Sequence, residues 1–68
     1  MKPSEYKRLC NEMGEDPIVA GRKIGLEVRT AYRYPAGDSR IREVVARLLR
    51  YARRNNVPLD EFEKEASK

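Results

Sequence analysis

The 68-residue chain has no histidine, no tryptophan and only one cysteine, so most of the side chains from which hydrolytic and redox sites are built are missing. No glycine-rich loop of the kind that cradles a phosphate is present either. The composition therefore predicts a protein that is not an enzyme and that holds no metal and no cofactor. Cys10 alone excludes an internal disulfide and any cysteine-based zinc site, which fits a reducing cytosol. No apolar run approaches the roughly 20 residues that span a bilayer. Met1-Lys2-Pro3 leads directly into polar sequence with no signal-peptide core, so the expectation is a soluble, cytoplasmic protein with no membrane partner and no small-molecule substrate.

Charge is what the chain does have: 15 Lys and Arg against 11 Asp and Glu, a net +4. Its distribution is uneven. Residues 1–20 hold three basic and four acidic groups (−1), residues 21–54 ten and three (+7), and residues 55–68 two and four (−2). A concentrated positive middle suits a polyanion, whose phosphates Arg and Lys neutralise with release of counterions. A chain this short buries only about 60% of the surface that its unfolded form exposes. Its stability should be about 3–10 kcal/mol, so pairing with a second copy would help it.

The periodicity predicts an all-α domain of five short helices. Ser4 is a candidate N-cap for a first helix, in which Tyr6, Leu9, Cys10 and Met13 make one apolar stripe before Gly14 ends it. Cys10 in that stripe reads as a small buried apolar residue. Asp16-Pro17 is an N-cap followed by proline at the first helical position, so a second helix should run from Pro17 to Ile24 and stop at Gly25. Gly21 inside it costs roughly 1 kcal/mol relative to Ala, which implies that another helix approaches its backbone closely.

A third helix is predicted from about Glu27 to Tyr34, where Pro35 disfavours continuation and Ala36-Gly37-Asp38 forms a loop. Ala31 and Tyr34 face inward with Leu26, leaving Val28, Arg29, Tyr32 and Arg33 outside. The fourth helix, from an N-cap at Ser39 to a stop near Asn55-Asn56, carries Ile41, Val44, Val45, Leu48, Leu49 and Ala52 at helical spacing. A last short helix follows Val57-Pro58, with Asp60 and Glu63 spaced as cap and capping partner. The organisation reads as residues 1–56 for the main domain and 57–68 for a C-terminal segment. There, Val57, Leu59 and Phe62 either fold back on the core or make a dimer contact.

Two short helices joined by a tight glycine turn, the second with an outward polar face, can lay that second helix in the major groove of DNA. The ungapped stretch from Gly14 to Gly37, GEDPIVAGRKIGLEVRTAYRYPAG, resembles the helix-turn-helix of the Cro and lambda-repressor-like family. Glu5-Tyr6-Lys7-Arg8-Leu9 is similar to that family's first helix and Val45-Ala46-Arg47-Leu48-Leu49 to its fourth, so the likeness covers roughly residues 3–52. Gly21, Gly25, Leu26, Ala31 and Tyr34 supply the small residue, the turn and the three inward positions of the motif. The chain departs from the family pattern at Glu15, Gly21, Tyr34 and Pro35, where Leu, Ala, Trp and a helix-extending residue are usual.

The resemblance implies a compact five-helix lambda-repressor-like domain and assigns base contacts to Val28, Arg29 and Arg33, with Glu27 and Tyr32 at the edge. Arg binds guanine O6 and N7 bidentately, Val packs on a thymine methyl, and Glu accepts from cytosine N4. Thr30, Ser39, Arg40 and Arg42 fall where family members touch phosphates, contacts that position without reading sequence. Arg22 and Lys23 stay unassigned, and Arg47, Arg50, Arg53 and Arg54 read as surface charge. The function implied is a sequence-specific transcriptional regulator, a phage- or mobile-element-type repressor that binds a palindromic operator on double-stranded DNA as a homodimer. The other reading of the same residues is a protein-interaction module, such as an antitoxin or inhibitor, that grips an acidic partner with its basic face.

Overall fold

A computed structural model describes residues 1–66, with side chains through Lys64; Ser67 and Lys68, the end of the predicted C-terminal segment, lie outside the described residues. Five helices follow one another: α1 (Pro3–Glu12), α2 (Pro17–Lys23), α3 (Val28–Ala36), α4 (Glu43–Arg54) and α5 (Asp60–Ala66). Among the described residues there is no strand, and no helix is long and apolar enough to cross a membrane. The domain is all-α, as the periodicity predicts.

Helix starts are set partly by the residues expected. Asp16 caps α2, its Oδ2 accepting from the N–H groups of Ile18 at 3.0 Å and Val19 at 3.3 Å, which occupies two donors that the first turn leaves free. Helix α1 starts earlier than Ser4 allows. Pro3 takes the first helical position, Lys2 is the cap residue and no side chain caps it, because proline's fixed φ already suits that turn. Ser39 is likewise not the cap of α4. Ile41 is drawn into the core before the helix begins, so helical turns start only after Arg42.

The first four helices end by one device. In each, a left-handed residue closes the end (Gly14, Gly25, Gly37 and Asn56), and the next N–H reaches back five residues to a carbonyl that the helix leaves free: Glu15 to Cys10 (2.9 Å), Leu26 to Gly21 (3.0 Å), Asp38 to Arg33 (3.0 Å) and Val57 to Ala52 (2.9 Å). This Schellman closure needs positive φ. Gly25 meets it at 98° without strain, while Asn56 meets it at 53° as the non-glycine residue that best tolerates that region. Pro35 does not stop α3 at Tyr34. It sits in the last turn, where its missing N–H costs only the bond to Ala31, and the helix closes two residues later at Gly37.

The core is built on Tyr6. Its ring is fully buried and meets Tyr34 edge-on, with centroids 5.7 Å apart and planes at 88°, a favourable aromatic geometry. Its hydroxyl donates to the Pro17 carbonyl at 2.9 Å, tying α1 to the start of α2. Gly21 has the close neighbour its position implies. A Cβ there would lie 3.0 Å from the Ala31 Cβ and 3.1 Å from the Tyr6 hydroxyl, so α2 and α3 cross at that point.

Helix α4 contributes Val45, Ala46, Leu49 and Ala52 inward, with Leu48 at the edge. Val44 is not in the core. It is 74% exposed, because the inward arc begins at Val45.

The C-terminal segment folds back. Leu59 is 3% exposed within the domain's own core, and Val57 and Phe62 pack against it partly buried. Of the two readings of Val57, Leu59 and Phe62, the structure shows the fold-back: Leu59 is taken up by the core, and Val57 and Phe62 lean on it while staying partly exposed. Asp60 is the first residue of α5 rather than its cap, and its carboxylate turns to Lys23 Nζ at 2.8 Å.

Cys10 is buried, as its place in the apolar stripe implies. Burial pushes its thiol from an ordinary 9.0 up to about 11, against a smaller opposing pull from the Tyr6 hydroxyl. The folded chain keeps this proton longer than the unfolded chain does. Stability contributed by the neutral thiol is thus complete below pH 9 and declines as pH rises towards 11, by roughly 2 kcal/mol. Urea unfolding at pH 8 and pH 10.5 checks this: Cys10→Ala is expected to flatten the decline, and an unchanged slope would refute it.

Candidate nucleic-acid interface

Helix α3 is positioned from behind. Ala31 and Tyr34 are buried against α1 and α2, and Arg22 Nη1 donates to the Leu26 carbonyl at 3.0 Å, bracing the turn that delivers the helix. Arg22 thereby acquires a structural task that sequence spacing did not reveal. The inward residues leave Val28, Arg29, Tyr32 and Arg33 on the opposite side of α3, at positions i, i+1, i+4 and i+5, all exposed. Val28 is 53% and Tyr32 57% exposed. These four form one continuous outer face.

The other expected residues surround that face unevenly. Glu27 is the exposed N-cap residue of α3, and its side chain makes no capping bond. Thr30 is half-buried and flanks the face rather than belonging to it. Ser39 is half-buried in the α3–α4 loop, whereas Arg40 and Arg42 are exposed there. The Arg42 backbone N–H donates to the Tyr34 hydroxyl at 3.4 Å, which stitches this loop to the C-terminal half of α3. The structure also exposes Val19 on α2, a residue that helical patterning gave no reason to single out.

Pairing divides the cations into two groups. Lys23 lies between Glu15 at 2.9 Å and Asp60 at 2.8 Å, and its bonds to Asp60 and then Glu15 hold the ammonium well above its usual range. Arg47 pairs with Glu43 and Arg50 with Glu5, both at 3.4 Å, and Arg53 pairs with Glu12. Arg29, Arg33, Arg40 and Arg42 have no carboxylate partner among the described residues, and neither do Lys2, Lys7, Arg8, Arg22, Arg54 and Lys64. The acids of α1, Glu5 and Glu12, are thus drawn to the seam with α4, while Glu43 pairs along α4 itself. The outer face of α3 and the loop after it keep four unpaired arginines, with the exposed carboxylates of Glu27 and Asp38 beside them.

An open groove of about 420 Å³ lies elsewhere, between the C-terminal ends of α1 and α4 and the start of α5. Glu12, Glu15 and Asp60 on its rim are already committed to Arg53 and Lys23, and no α3 residue lines it. It offers little to an anion. Compared with protein-family models, with curated proteins and with solved structures, the chain finds no significant match.

Proposed function

We propose that the chain is a sequence-specific regulator that binds double-stranded DNA through α3 and the loop into α4, with no catalytic chemistry of its own. The observation that carries this reading is the unpaired state of Arg29, Arg33, Arg40 and Arg42, set against the ion pairing of Lys23, Arg47, Arg50 and Arg53. Four arginines without carboxylate partners, two on the exposed face of α3 and two in the loop after it, are what a phosphate backbone attracts. The resemblance of residues 14–37 to the Cro and lambda-repressor-like family supports the same reading and extends it to a homodimeric repressor on a palindromic site, with half-sites about 34 Å apart.

In this reading Val28, Arg29 and Arg33 read base edges, with Glu27 and Tyr32 beside them, while Thr30, Ser39, Arg40 and Arg42 grip phosphates. The two groups differ in what their loss should do. Arg29→Ala is expected to weaken the preferred duplex by about 1–3 kcal/mol and to relax preference at one base position. Arg42→Ala should weaken every duplex alike. Titration of preferred and random duplexes with both variants checks this, and equal losses from Arg29→Ala on the two duplexes would count against direct readout.

A protein-interaction module is the second reading, favoured by the exposure of Val28 and Tyr32 on the same face as the arginines. Enrichment from a randomised duplex library separates the two. Recovery of a motif, palindromic if the dimer reading holds, supports the regulator; recovery of none, alongside a stable protein partner in a pull-down, supports the module.

A further inference from the structure

The large exposed apolar side chains fall into two groups. Val19, Val28 and Tyr32 belong to α2 and α3, whereas Val44 and Tyr51, 74% and 53% exposed, lie on α4. Val44, the half-buried Leu48 and Tyr51 are spaced i, i+4 and i+7, so they form one line about 10 Å long down a helix whose inward face is already filled. Among the described residues, none covers Val44 or Tyr51 on this line.

The charges along α4 favour one occupant. Glu43 stands in its first turn and Arg54 in its last, and Arg54 is the one α4 cation without a carboxylate partner among the described residues. A second α4 laid antiparallel about a two-fold axis at Leu48 sets Val44 against the partner copy's tyrosine. It also brings each Glu43 beside the other copy's unpaired arginine. Arg50 near the axis already carries Glu5, and each Glu43, exposed and 3.4 Å from Arg47, would lie between its own Arg47 and the other copy's arginine. The helix dipoles oppose one another, which is the favourable arrangement. A patch that is complementary to itself about a two-fold axis is what an isologous dimer requires.

We infer that the Val44–Leu48–Tyr51 line of α4 is the face on which a second copy of this chain docks. The inference deepens the homodimer part of the function proposed above by giving it a surface, and its test contains no DNA, so its failure leaves the DNA reading standing. One helix pair buries less than a standard interface, so the dissociation constant should be on the order of 10–100 μM.

Sedimentation equilibrium of the full chain up to about 500 μM reads it. The expected result is a reversible monomer–dimer equilibrium that Val44→Glu weakens at least about tenfold with the helical circular dichroism intact. Arg54→Glu should weaken it as well, and adding Glu43→Arg to that variant should restore it. A chain that stays monomeric throughout, a Val44→Glu variant that dimerises like the wild type, or a charge swap without recovery overturns the proposal.

Discussion

Affinity for the preferred duplex is expected to fall about 10⁴-fold between 50 and 200 mM salt. Each subunit brings Arg29, Arg33, Arg40 and Arg42 to the candidate interface without internal partners. A dimer therefore offers eight such cations, since the two per subunit assigned to base edges would also stand between the phosphate rows of the groove and displace counterions there. With a slope of about −0.9 per neutralised phosphate, a fourfold rise in salt removes roughly four decades of binding. Arg47, Arg50 and Arg53 add nothing to this figure, because their charges are already opposed by Glu43, Glu5 and Glu12. Combining Arg40→Gln with Arg42→Gln should reduce the slope by roughly 3–4 in a dimer. Fluorescence anisotropy across a salt series measures both, and a response close to flat would sink the DNA reading.

Tyr6→Ala is expected to leave much of the population unfolded at 25 °C. Truncating a fully buried aromatic costs about 3–5 kcal/mol, and this ring also supplies the edge-on contact with Tyr34. Its hydroxyl is equally committed, since it donates to Pro17 and touches the spot where α2 and α3 cross. A domain whose total stability is about 3–10 kcal/mol has little left after such a loss. Tyr6→Phe keeps the packing and drops the bond to Pro17 and the hydroxyl's contact with the Cys10 thiol, so it should cost about 1 kcal/mol. Urea titration of the two variants distinguishes these amounts, and a loss below about 1 kcal/mol in Tyr6→Ala would contradict the packing described.

Local chemistry made several elements readable from sequence. Asp16-Pro17 and Gly25 bracket α2 because a carboxylate cap, a preset φ and a left-handed closure are each properties of single residues. The close approach at Gly21 was readable too, because glycine inside a helix needs a packing reason.

Phase was harder to read. Val44 and Val45 both fit an apolar stripe, and which of them turns inward depends on where α4 starts, which depends in turn on Ile41 anchoring in the core. Ser4 and Ser39 have the right chemistry for caps but the wrong register relative to those anchors.

The division of the arginines was not readable at all. Arg50 with Glu5 and Arg53 with Glu12 join residues 45 and 41 positions apart, and neither spacing carries a local signal. The outer face of α3 was legible as a list of residues. That its arginines stand unpaired follows only from the folded chain.

The separation of tasks within α3 has a consequence for how such a protein changes over generations. Ala31 and Tyr34 hold the helix in place, and the Arg22 bond to Leu26 braces its approach, while Val28, Arg29, Tyr32 and Arg33 touch nothing that the domain needs to fold. Substitutions on the outer side are therefore nearly neutral for stability. If this surface recognises DNA as proposed, a lineage could rewrite its preference in single steps, without first passing through an unstable ancestor.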